Sequence, residues 1–261
     1  MTNQLIACAC VLWLTSCSYQ DSGKGHSRIF SKWKQGSTTH FRFYAQKGVR
    51  SENKLELIGE KAERIQQKLL GILKENEKQK LDIFLLKDRE TLTSYTGFPA
   101  NGYTNTQKGI VYFVDQDPFH LALQHEIMHT LSWRRWRTPK GYWISEGLAV
   151  FAAGNCGGYN LHSLAHALDK EGKLIPFSKL IDSFDFKSLE PSLQSASIVQ
   201  YIYDSYGVAV LKAFWQRGSG NAKEIVSLSA GELEHKWLIH IRQEKYKTRI
   251  NWQAIKDRGC E

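Results

Sequence analysis

The sequence is poor in the residues that build stapled or cysteine-clustered folds. It has 5 cysteines, 5 prolines and 2 methionines among 261 residues. Past the first seventeen positions the cysteines are Cys156 and Cys260, too few for a disulfide scaffold. Neither sits in a C-x-x-C pattern, so a cysteine-ligated structural zinc is not indicated. Their spacing is compatible with a bond tying the C-terminus to the loop after Gly154, or with two free thiols. The apolar stretch Leu5 to Leu14 is too short to span a bilayer. There is no fixed-period repeat and no low-complexity tract. A net charge of +9 and a pI near 9.2 come without a nucleic-acid-binding motif, so no nucleic acid is expected as a partner. The charge suits a negatively charged cell envelope instead. What the chain does have is aromatics: 8 Trp, 12 Phe and 11 Tyr, the makings of a packed core. Its length allows one large domain or two small lobes.

The most informative stretch is His125-Glu126-Ile127-Met128-His129, a match to H-E-x-x-H. On a helix, positions four apart share a face, so both imidazoles can aim at one metal ion. Glu126 can then reach a water on that ion and take its proton. Asp117-Pro118 upstream is a helix start, with Asp as N-cap and Pro at the first helical position. No Gly or Pro interrupts the run from there to the motif, which therefore falls mid-helix. An ordinary amphipathic helix carrying two histidines would show the same five residues.

A hydrolytic zinc site needs a third protein ligand and an open position for water. Glu146 lies in a second apolar helix-like run, Trp143 to Ala153, where an unpaired carboxylate is costly to bury. A glutamate stabilised by a helix N-terminus is the other reading of the same residue.

Together, HEIMH and the downstream Trp143-Ile144-Ser145-Glu146-Gly147-Leu148-Ala149 resemble the gluzincin metallopeptidases, and more narrowly the M1-aminopeptidase-like peptidase MA group. That group pairs H-E-x-x-H with a W-x-x-E-G-x-A helix. The resemblance implies Zn2+ held by His125, His129 and Glu146, with Glu126 as general base acting on a peptide or protein substrate. It also implies a zincin-like α+β fold. In that fold residues 39–133 form a small mixed sheet with helices packed on the H-E-x-x-H helix. Residues 134–261 form a mainly helical lobe.

Residues 1–16 read as a targeting segment. Leu14-Thr15-Ser16-Cys17 resembles a bacterial lipobox, which implies a lipidated Cys17 and a membrane anchor. A plain secretory signal or a short anchor are the alternatives, since the segment carries no Lys or Arg. Residues 17–38, polar and Gly/Ser-rich, read as a tether.

Within the folded part, His40–Ala45, Leu81–Leu86 and Gly109–Val114 read as strands. Residues 51–73 read as a helix, from Leu55, Ile58, Ala62, Ile65, Leu69 and Ile72. Arg89–Tyr95 reads as a short helix. Beyond Gly154 the chain reads as mostly helical, with two helices meeting at Gly207. In gluzincins the strand at the place of Gly109–Val114 is a sheet edge that pairs with extended substrate; a buried core strand is the alternative. The basic stretch Arg134–Lys140 could steer an anionic substrate, but a solvated loop is the commoner meaning of a short charge run. His162 and His166, four apart without a third ligand in view, read as ordinary buried or surface histidines.

Two departures from the family pattern bear on activity. The tyrosine that donates to the oxyanion in M1-like enzymes aligns with Ser192, leaving Tyr201, Tyr203, His162 or no group for that role. The GxMEN segment that holds a free amino terminus is missing, which points to an endopeptidase or processing role. A zinc-bearing envelope lipoprotein that binds without cleaving is the competing function.

Overall fold

A computed structural model describes residues 33–115, 119–186, 188–243 and 250–258. Five strands make one sheet: β1 (Lys34–Ser37), β2 (Phe41–Ala45), β3 (Leu81–Leu86), β4 (Gly102–Asn105) and β5 (Ile110–Val114), in the order β1-β2-β3-β5-β4. The inner three run parallel, and β1 and β4 close the edges antiparallel. Parallel neighbours need a long crossover, and helix α1 (Leu55–Leu73) supplies the one between β2 and β3. Its buried stripe of Leu55, Ile58, Ala62, Ile65, Leu69 and Leu73 follows helical spacing. Helix α2 (Arg89–Thr96) is capped by Asp88, whose carboxylate accepts from Thr91 N at 2.8 Å, and is closed by Gly97 at φ 79°.

Register sorts the side chains onto two faces. Phe43, Ile83, Val111 and Thr104 are aligned neighbours across β2, β3, β5 and β4, as are Ala45, Leu85, Phe113 and Gly102. These two rows, whose hydrophobic members are buried, face the helices. The row between them, Tyr44, Phe84, Tyr112 and Tyr103, lies on the other face, where Tyr44 and Phe84 stack at 4.6 Å and Phe84 and Tyr112 at 5.2 Å.

The second half is helical: α3 (Phe119–Trp136), α4 (Tyr142–Ala153), α5 (Leu161–Lys170), α6 (Phe177–Asp182), α7 (Glu190–Arg217), α8 (Ala222–Val226), α9 (Ala230–Arg242) and α10 (Trp252–Arg258). This is the α+β class expected, a mixed sheet followed by a mainly helical part. Within α7, Gly207 at φ 83° and ψ 171° breaks the helix where the sequence places the break. Helix α9 opens with a capping box, Ser229 Oγ accepting from Glu232 N while Glu232 accepts from Ser229 N.

Two expectations change. Gly109–Val114 is not the sheet edge: β5 lies between β3 and β4, and the edge beside it is β4, whose short polar Gly-Tyr-Thr-Asn sequence carries no strand signal. The fold also begins before residue 39, because Lys34–Ser37, read as tether, pairs along β2. Asp117, Pro118, Cys17, Cys260 and residues 1–32 lie outside the described residues. Cys156 is disulfide-bonded. No helix among the described residues is long and apolar enough to cross a membrane.

Candidate metal centre

The packing of α3 against α4 brings three ligand atoms to one point. His125 and His129 leave the same face of α3, their Nε2 atoms 3.1 Å apart. Glu146, from α4, places Oε2 3.5 Å from His125 Nε2 and Oε1 3.4 Å from His129 Nε2. Ligands about 2.0–2.1 Å from a tetrahedral zinc sit roughly 3.3 Å from one another, so the donor set fits that ion in both chemistry and spacing. Among the described residues this is the group of His, Cys, Asp and Glu that could hold a metal. His162 and His166 do not form a second one. His162 Nδ1 lies 2.8 Å from Ser197 Oγ, and its ring packs against His240.

The three groups also act on one another electrostatically. Burial pushes the Glu146 carboxyl up, but the charge of His129 and the hydrogen bond and charge of His125 outweigh it and hold it at about 2. Burial pushes His125 down, but the hydrogen bond and charge of Glu146 lift it above its ordinary value. His129 is held below its ordinary value by burial. Glu126 lies near enough for its charge to act on both imidazoles.

Neighbouring residues fix these groups. His129 Nδ1 lies 3.2 Å from Ser145 Oγ, so an Nδ1–H donated to Ser145 leaves Nε2 as the ligating nitrogen. Gln124, buried beside His125, donates from Nε2 to the Ala152 carbonyl and ties α3 to the end of α4. Gly147 sits where α4 meets α7: a Cβ there would lie 2.7 Å from Ser195 O and 2.8 Å from Ser195 C. The glycine after Glu146 therefore sets how closely the ligand helix approaches α7. Across the site, Thr104 Oγ1 on β4 is 2.5 Å from Glu126 Oε2, and a Cβ on Gly102 would lie 2.6 Å from Glu126 Oε1.

Sequence reasoning named His125, Glu126, His129 and Glu146, and the structure brings all four together. It missed Thr104, Gly102 and Ser145. The Asn105 to Gly109 turn was the available signal for the first two, since a turn ahead of a strand calls for a partner strand before it. Two residues of the basic stretch are engaged elsewhere: Arg134 donates to the carbonyls of Gln79 and Lys80, and Arg135 pairs with Glu75. Of the groups considered for oxyanion stabilisation, Tyr201 packs with Tyr206 and His240, and Tyr203 with Phe151. Burial and a hydrogen bond to Tyr206 push the Tyr201 hydroxyl up to about 12. Ser192 is the third residue of α7, half-buried.

The chain thus combines a mixed sheet and a helical half with a two-histidine, one-glutamate group between α3 and α4 that could hold a metal ion. No family model and no curated protein matches the chain. Among solved structures it is similar to an M1 zinc metallopeptidase from Deinococcus radiodurans, at 14% identity and a TM-score of 0.48, over 78% of this chain and 51% of that one. A mutant of that enzyme gives 12% identity and a TM-score of 0.47, over 83% and 52%. The chain thus spans about half the length of these structures.

Proposed function

We propose that this chain is a zinc-dependent peptidase of the bacterial cell envelope, an endopeptidase or processing protease. The observation that carries the reading is the convergence of His125, His129 and Glu146 beside a partly buried Glu126. Zinc held there would polarise a scissile carbonyl and lower the pKa of a water at its open position. Glu126 would take the proton from the attacking water and hand it to the leaving amine. His129, oriented by Ser145, and the anionic Glu146 would hold the ion. The outer side of β4 would pair with an extended substrate backbone, a mode that recognises main chain more than sequence.

The location is part of the same proposal. A lipid on Cys17 would anchor the protein, and the +9 charge favours an anionic surface. Cys17→Ser should abolish palmitate labelling and release the protein from the membrane fraction. A Cys17→Ser protein still labelled and still membrane-bound would remove the lipoprotein reading and leave the peptidase reading intact.

The peptidase is tested by zinc content and turnover of a denatured-protein or peptide library, with Glu126→Gln as control. Zinc near one per chain, cleavage in the wild type and loss of cleavage in Glu126→Gln are expected. Cleavage that survives Glu126→Gln would exclude the mechanism. The packing of Tyr201 against Tyr206 and His240, and of Tyr203 against Phe151, favours a second reading, a weak or inactive zinc-binding module. Bound zinc without turnover would select it.

A further inference from the structure

The geometry points to Thr104 as the positioning residue for Glu126, with Gly102 as the spacer that lets it act. This inference rests on the peptidase reading and concerns how its general base is aimed. It starts from register. Gly102 and Thr104 are two apart on β4, so both side positions face the helices, aligned with Phe113 and Val111 of β5. Their neighbours in those rows bury apolar side chains against the core. These two instead meet the carboxylate of Glu126.

Thr104 Oγ1 lies 2.5 Å from Glu126 Oε2 and 3.0 Å from the Glu126 carbonyl oxygen. A hydroxyl has one proton, and the shorter, charged acceptor takes it. The carboxylate is thereby fixed in rotation, with Oε2 engaged as an acceptor and Oε1 left to receive the proton of the reaction. Gly102 fixes the approach. A Cβ at this position would stand 2.6 Å from Oε1, 2.9 Å from Cγ and 3.0 Å from Cδ of Glu126. Any other residue would push the carboxylate off the strand. Gly102 is not in the left-handed region, so it is the space and not the backbone conformation that calls for glycine here.

A general base works only within hydrogen-bond reach of the proton it takes, and a carboxylate free to rotate spends little time aimed at it. The same strand is the edge that would carry the substrate backbone. One element would therefore place the scissile bond and aim the base against it, so a substrate seated on β4 meets a carboxylate already in register with it.

The test is steady-state kinetics of zinc-loaded wild type, Thr104→Val, Thr104→Ser and Gly102→Ala, with zinc affinity measured for each. Thr104→Val should lower kcat about 10- to 100-fold, the scale of one lost hydrogen bond to a charged group, with KM and zinc affinity within about twofold. Thr104→Ser, which keeps the hydroxyl, should recover most of that loss, and Gly102→Ala should reproduce it. An unchanged kcat in Thr104→Val, a loss confined to KM or zinc affinity, or no rescue by serine would overturn the assignment. If wild type does not cleave, the peptidase reading fails by itself. The positioning claim is then read from crystal structures of zinc-loaded wild type and Thr104→Val. A Glu126 carboxylate that has rotated or shifted off β4 in the variant supports it, and one that is unmoved refutes it.

Discussion

His129 shows how much of a candidate metal site depends on atoms that would never touch the ion. Its Nδ1 faces Ser145, the residue before Glu146, so one turn of α4 would supply both a ligand and the group that orients another. Losing such a partner typically weakens metal binding by about 10- to 100-fold. Ser145→Ala should do so in a chelator competition while leaving the folded spectrum unchanged. His162 shows the opposite use of an imidazole. Burial, helped by the charge of His240, holds it at about 4 against an ordinary 6.5. Above pH 6.5 it is neutral folded or unfolded. Below that the unfolded chain binds a proton that the folded one refuses, so stability falls from pH 6.5 to about 4 and this contribution then levels off. The loss is at most ~3 kcal/mol. Denaturant titrations between pH 7.5 and 4 should show it in wild type, and His162→Gln should flatten the difference.

Among elements, those whose sequence period matches their burial were legible in the sequence. The stripe of α1 from Leu55, the alternation of β2 and the apolar run of β3 fall where the pattern puts them. The break at Gly207 was legible because only glycine takes φ near +83° at low cost. The strands β1 and β4 were not. Both are four-residue edges with polar or small residues, held by pairing to a neighbour far more than by their own composition. Missing β4 meant assigning the edge to β5, and with it missing Thr104 and Gly102. The histidine pair was legible because its spacing is that of one helical turn, whereas Glu146, on another helix, was legible only through the resemblance of the Trp143–Ala149 stretch; the helix contact at Gly147 was not legible at all. Gly147→Ala would drive a methyl into the Ser195 carbonyl. A cost of about 1–3 kcal/mol is expected in denaturant unfolding, together with weaker zinc binding as α4 shifts.

For the whole molecule, a metal held by these groups would be linked to the fold by mass action. An ion that binds the folded chain alone stabilises it by about 2.7 kcal/mol at a hundred times its dissociation constant. Dialysis against a chelator should therefore lower Tm, and zinc should restore it in wild type but not in a Glu146→Ala variant. A chelator-insensitive Tm would mean that the three groups hold no ion in solution.

The close contact at Gly147 has a last consequence. The carboxylate that would grip the ion is bonded in sequence to the one residue small enough to lie against the α7 backbone. A slippage of α7 by even an ångström would be felt at the ion one residue away. Ion binding at the centre would thus double as a gauge of whether the C-terminal helices have finished assembling, and a half-folded chain would bind no ion.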